Sequence, residues 1–504
     1  MMQRRDFLKK FGITSSLFVA GLPLSANLTS MFYDPKDVVT DKVFTPEPAT
    51  PNFATDGSLL SNRPPAGKRH FTSKAVEETI IKVKQSMADE ELAWMFENCF
   101  PNTLDTTVTF SDKNGGPSTY VITGDIDAMW LRDSSAQVWP YLQLAANDEP
   151  LRNLLKGVIN KQSEFVLLDP YANAFYNDPL RESEWKNDFT EMKPGVHERK
   201  WEIDSLCYVI RLSHGYWKNT GDSSAFTAKW QQAMQLIVST FRDQQRISDN
   251  GPYHFQRLAT NPTDTQFGGG YGNPTKKIGL IHSMFRPSDD ATFYPFLVSS
   301  NLFAVVSLRQ LAEIFGKALK NDKLSKKYTL FADELDFILK QNAVYQHPTA
   351  GKIWPLEIDG FGNALFMDDA NVPNLLSLPY LGYCDVNDPL YQSTRKFSLS
   401  KTNPWYHSGS YAKGIGGPHV GESKIWPLGL VMQALTSTDD KEILNCLSML
   451  KKTHAGTGFI HESFHVDDPK NYSRSWFAWA NTIFGELILH LYNSKPELLK
   501  VKLE

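Results

Sequence analysis

Cysteine is scarce in this 504-residue chain: Cys99, Cys207, Cys384 and Cys446 lie far apart, with no CxxC pair. That spacing supports neither a zinc site nor a disulfide framework. The four thiols are therefore expected to be free and buried, and the fold to rest on its own core. Positive charge is not in excess either. The net charge is −4 and the pI about 6.3, which leaves no basic footprint for nucleic acid. Past the N-terminus no segment offers the ~18 consecutive apolar residues of a spanning helix, so no stable membrane anchor is expected. No repeat marks a solenoid and no D-x-D-x-D-G loop marks a calcium site. No cofactor motif is visible, and neither metal nor cofactor is expected.

What the chain does contain begins with an address. Its first residues, MMQRRDFLKKFGITSSLFVAGLPLSAN, place Arg4 and Arg5 before Phe7, Leu8 and Lys9, then a mildly apolar stretch and Leu24-Ser25-Ala26. This is the pattern of a twin-arginine export signal over residues 1–26, and it predicts an exported, periplasmic protein. Residues 27–72 are rich in Pro, Thr, Asn and Ser without sustained periodicity, as in an extended arm or linker. Aromatic residues are plentiful, with 12 Trp and 19 Tyr. Their flat apolar faces and polar edges suit sugar rings as well as protein cores.

From residue 73 to 504 apolar residues recur at helical spacing. The spacing predicts twelve helices, over 74–98, 134–146, 149–168, 202–218, 222–245, 299–317, 323–341, 371–382, 388–396, 421–436, 439–452 and 474–492. Connections after the even-numbered segments are short, and those after the odd-numbered ones are mostly long. Short connections make antiparallel neighbours. Six helical hairpins closed into a ring, an (α/α)6 barrel, would bring all the long connections to one end.

Those connections include TGDIDAMWLRDSS, KPGVHERKWEID, GLIHSMFRPSDDATF, WPLEIDGFGNALFMDDANVPN, WYHSGSYAKGIGGPHVGES and GFIHESFHVDD. Each mixes carboxylates with aromatics, a lining suited to a polyhydroxylated ligand. Glycosidic hydrolysis needs two carboxyl groups, roughly 6.5–9.5 Å apart for inversion and about 5–5.5 Å for retention. The adjacent Asp289 and Asp290 are candidates for the acid. Glu462, set between His461 and His465 in the sixth loop, is the candidate partner across the ring from the third.

The stretches TGDIDAMWLRDSSAQVWPYL, KWEIDSLCYVIRLSHGYWK, FRPSDDATFYPFLVSSNLFAVVSL and GFIHESFHVDDPKNYSRSWFAWANTIFGELI resemble glycoside hydrolase family 125, in order over about 74–494. The resemblance implies an inverting, exo-acting α-mannosidase that prefers α-1,6-linked mannose on an (α/α)6 barrel. It also implies that Asp289, or less readily Asp290, is the general acid and Glu462 the general base. Around them, Asp125, Asp127, Arg132 and Asp133 are candidates to grip mannose hydroxyls. Trp130 and Trp201 are candidate ring faces, and Glu202, Asp204, Arg286 and His419 further lining groups. The competing readings are a glycan-binding protein that has lost catalysis and another hydrolase specificity on the same barrel.

Overall fold

The computed structural model describes residues 59–113 and 115–504, so the expected export signal and the expected arm up to residue 58 lie outside the described residues. The described end of the arm is fastened to the helical body. Arg63 is buried between Glu77 and Asp105, with its Nε 2.7 Å from the Asp105 carboxylate. The Trp94 indole donates to the Leu60 carbonyl at 2.7 Å.

The α-helices are α1 Lys74–Ser86, α2 Glu90–Cys99, α3 Asn102–Thr106, α4 Leu131–Val138, α5 Glu149–Leu168, α6 Ile203–Thr220 and α7 Ala228–Asp243, followed by α8 Val298–Glu313, α9 Asp322–Asn342, α10 Leu378–Leu381, α11 Pro389–Ser398, α12 Pro427–Leu435, α13 Asp440–Lys452 and α14 Ala478–Ser494. The even-numbered helices from α4 onward draw the inner ring: α4 packs on α6, α6 on α8, α8 on α10, α12 on α14, and α14 returns to α4. The odd-numbered helices from α5 to α13, with α1 and α2, lie outside. The architecture is an (α/α)6 barrel. Nearly every side chain of α8 is buried, as expected for a helix packed on all sides, whereas α9 and α11 bury one stripe each.

Helix starts separate the two layers. Ser73, Asp89, Asp148, Thr227, Asn321, Asp388 and Asp439 each accept a backbone N–H at the start of an outer helix. None of the inner helices has a side-chain cap. Their N-termini carry the partial positive charge of uncapped N–H groups to the end of the barrel where the long connections gather, which favours carboxylates there.

Several expected helices change length. Residues 74–98 divide at 87–89, where Asp89 starts a new helix. Residues 131–147 run as α4 and then a 3-10 turn, because Pro140 has no N–H to donate. The 371–382 segment is helical only over α10, since Asp368 draws the N–H groups of Leu375 and Leu376 to its own side chain. The segments at 421 and 474 start late, at Pro427 and Ala478. Short antiparallel strands, absent from the periodicity reading, brace the long connections. One sheet joins Met129–Trp130, Ala174–Phe175 and Val196–Glu198, and another joins Lys424–Ile425, Ser463–His465 and Asp468–Ser473. Cys99, Cys207 and Cys446 are buried and free, while Cys384 is half-buried.

Candidate active site

All six long connections contribute to a cavity of about 400 Å³ at the N-terminal end of the inner ring. The first brings Trp130, Arg132 and Asp133, the second Trp185, Glu198 and Lys200, and the third Arg257, Asp264 and Asp289. Asn371 comes from the fourth, His419 and Trp426 from the fifth, and Glu462, Arg474 and Trp479 from the sixth. Six connections can meet only because the helices alternate in direction.

The turn at 286–290 separates the two adjacent aspartates. Arg286 N donates to the Asp290 carbonyl at 2.8 Å, and Asp289 N to the Arg286 carbonyl at 2.9 Å. Asp289 takes φ +65°, a left-handed conformation that Asp tolerates better than most residues. Its carboxylate lines the cavity and accepts from Arg132 Nη2 at 3.0 Å. The Asp290 side chain turns away, is fully buried, and meets His419 Nδ1 at 3.3 Å. Burial alone would lower the His419 pKa, but Asp290, Glu462 and Asp289 raise it to about 9, so the ring is charged at neutral pH.

Across the ring, Glu462 accepts from Ser473 Oγ at 2.8 Å and Arg474 Nη1 at 3.4 Å. Arg474 is itself gripped by Asp125, with Nε 2.9 Å from Oδ1. Gly124 lets this strap close: a Cβ there would stand 2.3 Å from the Trp476 carbonyl. His461, which precedes Glu462 in the sequence, is stacked on Tyr472 with centroids 3.7 Å apart. Its burial pushes the pKa down to about 4, so it is neutral.

Beneath Asp289 lies a dense ionic knot. Arg132 Nη1 stands 2.6 Å from Glu202 and 3.2 Å from Asp204, both fully buried. Burial raises the pKa of Asp204 to about 6 and that of Asp133 to about 6, against the pull of Arg132 in each case. Burial would also raise Asp289, but Arg132 and Lys200 hold it well below the carboxylate range.

Of the residues singled out in the sequence, Trp130, Arg132, Asp133, Asp289, His419 and Glu462 line the cavity. The others stand behind it or outside. Trp201 is core, with its indole donating to the His282 carbonyl at 2.7 Å. Glu202 and Asp204 support Arg132. Arg286 is locked to Glu357 at 2.6 Å and fastens its loop. Asp125 positions Arg474, Asp290 positions His419, and Asp127 is an exposed partner of Arg181 at 2.8 Å. Periodicity passed over Glu198, Lys200, Arg257, Trp426 and Arg474. One signal was available: Trp130, Trp426 and Phe477 each immediately precede an inner helix, at the end of a long connection. Among the described residues, no group of three or more His, Cys, Asp or Glu could hold a metal ion.

The profile of the metal-independent α-mannosidases, glycoside hydrolase family 125, matches residues 89–489. The chain belongs to this family. It is a glycoside hydrolase. Within the family it is 41% identical to a Streptococcus pneumoniae metal-independent α-mannosidase solved in a non-productive complex with α-1,6-mannobiose. That similarity has a TM-score of 0.81 and covers 84% of this chain and 100% of the other. A Schizosaccharomyces pombe protein, the meiotically up-regulated gene 157 protein, is 43% identical over 461 residues, spanning 88% of this chain and 90% of its own. A bacterial glucoamylase complexed with acarbose shares the fold alone, at 12% identity and TM-score 0.51, over 83% of this chain and 59% of its own.

Proposed function

We propose that the protein is an exported, exo-acting α-mannosidase that removes terminal α-1,6-linked mannose from glycans with inversion. The observation that carries this reading is the lining of the family-125 cavity. Trp130 Nε1, Asp133 Oδ2, Trp426 Nε1 and Trp479 Nε1 are buried lining atoms with no hydrogen-bond partner among the described residues. Buried donors and acceptors of this kind call for ligand groups of both types, as sugar hydroxyls are. The α-1,6 linkage is favoured by the mannobiose held by the 41% identical relative.

In this reading Asp289 protonates the glycosidic oxygen as the bond to C1 breaks. Glu462 takes a proton from a water that attacks C1 from the opposite face, and β-mannose is the product. Glu462 suits the base because Arg474 and Ser473 orient its side chain. In this reading the two carboxyl groups, on the third and sixth connections, flank the glycosidic bond with room for the water that inversion requires. Proton NMR of α-1,6-mannobiose cleavage should show β-mannose before mutarotation. α-Mannose appearing first would refute inversion, and an untouched disaccharide would refute the linkage.

In the same reading the leaving sugar lies at the cavity mouth. Trp185 is 36% exposed there, and the Arg257 guanidinium lies 3.9 Å from its ring centroid. Asp188 at 2.7 Å and Glu198 at 3.0 Å fix that guanidinium. One ring face is thus covered by a cation, leaving the other for a sugar ring. Trp185→Ala should lower kcat/KM on α-1,6-mannobiose by roughly tenfold, the size of one aromatic contact. Hydrolysis of α-mannosyl fluoride, which has no leaving sugar, should change little. Equal losses on the two substrates would remove Trp185 from the leaving-group subsite.

A further inference from the structure

Charge around Arg132 does not balance if every acid is ionised. Four carboxylates surround its one guanidinium: Glu202 at 2.6 Å, Asp289 at 3.0 Å, Asp204 at 3.2 Å and Asp133 at 3.5 Å. Only Asp289 has substantial access to the cavity. Other charged neighbours do not close the gap. Lys200 donates to the Asp289 carbonyl at 2.9 Å, but it also stands 3.4 Å from both Glu198 and Asp264. Arg257 serves Glu198 and Asp188, and His419 is paired with Asp290. Uncompensated buried anions are costly, so the cluster retains protons at neutral pH.

The contacts indicate where one proton lies. Glu202 Oε2 accepts from Arg132 and, at 2.8 Å, from Ser205 Oγ. Glu202 Oε1 is buried and meets no donor. Glu202 and Asp289 share the one guanidinium, on Nη1 and Nη2 respectively, which brings the two carboxyl groups together. Two carboxyl oxygens can bond to each other only through a proton.

We propose that Glu202 and Asp289 hold one proton between them, and that Glu202 is the store from which Asp289 is protonated during catalysis. This rests on the reading of Asp289 as general acid, and it explains how an aspartate beside Arg132 and Lys200 can serve as one. In each turnover Asp289 gives a proton to the glycosidic oxygen and receives one from Glu202. The water gives its proton to Glu462 and its oxygen to C1. The enzyme is left with Glu202 ionised and Glu462 protonated, and one proton exchanged through solvent restores both. Glu202 touches no substrate and is a positioning residue. In support, burial raises the Glu202 pKa well above its ordinary value.

The test compares Glu202→Gln and Asp289→Asn on α-1,6-mannobiose and on α-mannosyl fluoride, whose leaving group needs little protonation. Both variants should lose ~10²–10⁴-fold on the disaccharide yet stay within about tenfold of wild type on the fluoride. A Glu202→Gln variant that loses both activities equally, or neither, overturns the proposal. Ser205→Ala provides a second reading should the Glu202→Gln substitution disturb folding. Without the Ser205 hydroxyl the Glu202 anion is less stabilised, so the alkaline limb of the kcat/KM profile should move to higher pH. An unmoved limb also overturns the proposal. A wild-type enzyme idle on both sugars would instead overturn the mannosidase reading, and this inference with it.

Discussion

Replacing Glu462 by Gln should lower kcat on α-1,6-mannobiose by ~10²–10⁴-fold, the usual contribution of a positioned general base. The variant should still bind the intact disaccharide. Gln keeps the side chain's length and one oxygen to accept from Ser473 or Arg474, so the strap formed by Asp125, Arg474 and Ser473 stays in place. The loss therefore falls on water activation and not on the shape of the cavity. Titration calorimetry with α-1,6-mannobiose should give a dissociation constant close to the wild-type KM. If binding disappears with turnover, Glu462 is a sugar-binding group and the base must be sought elsewhere. If turnover survives, the water is activated by another group.

Removing the guanidinium of Arg132 should damage both stability and activity. In Arg132→Met the buried carboxylates of Glu202 and Asp204 lose their cation, and Asp289 loses its donor. Breaking a buried pair from one side costs ~3–5 kcal/mol. The deficit should depend on pH. Without the cation, burial lifts the folded-state pKa values of Glu202 and Asp204 still further above their unfolded values of about 4, and Asp289 is no longer held down by Arg132. A carboxyl group raised in this way costs nothing below its unfolded pKa, and the cost grows as pH rises toward its folded value. Urea midpoints should therefore separate toward neutrality and draw together only as pH falls below about 4, where Asp289 of the wild type also takes up its proton. A deficit independent of pH would mean that lost packing, not charge, is responsible. Arg132→Lys should recover only part of the loss, because an ammonium cannot span Glu202, Asp204 and Asp289 as the planar fork does.

The architecture was largely legible in the chain. Apolar spacing and the alternation of short and long connections are local properties, and together they required six hairpins with one elaborated end. Twin carboxylates before α8 and a glutamate before α14 were legible for the same reason, as chemistry concentrated in connections. The roles proposed for them were implied by the resemblance to family 125. Helix limits were less secure. Asp368 redirects the backbone by accepting two N–H groups and Pro140 by lacking one, effects that periodicity does not register.

The sequence alone determined the class of fold, the family, and the set of connections that form the site. Only the tertiary structure decided which side chains face the cavity. Trp130 and Trp201 both stand at the start of an inner helix, yet one lines the cavity and the other fills the core. Asp289 and Asp290 are adjacent, and a left-handed turn sends their side chains to opposite environments. Glu202 reads as a lining residue and lies beneath the site instead, bound to Arg132 from 70 positions earlier. Side-chain direction and charge balance depend on partners distant in the chain, and partners are set by packing.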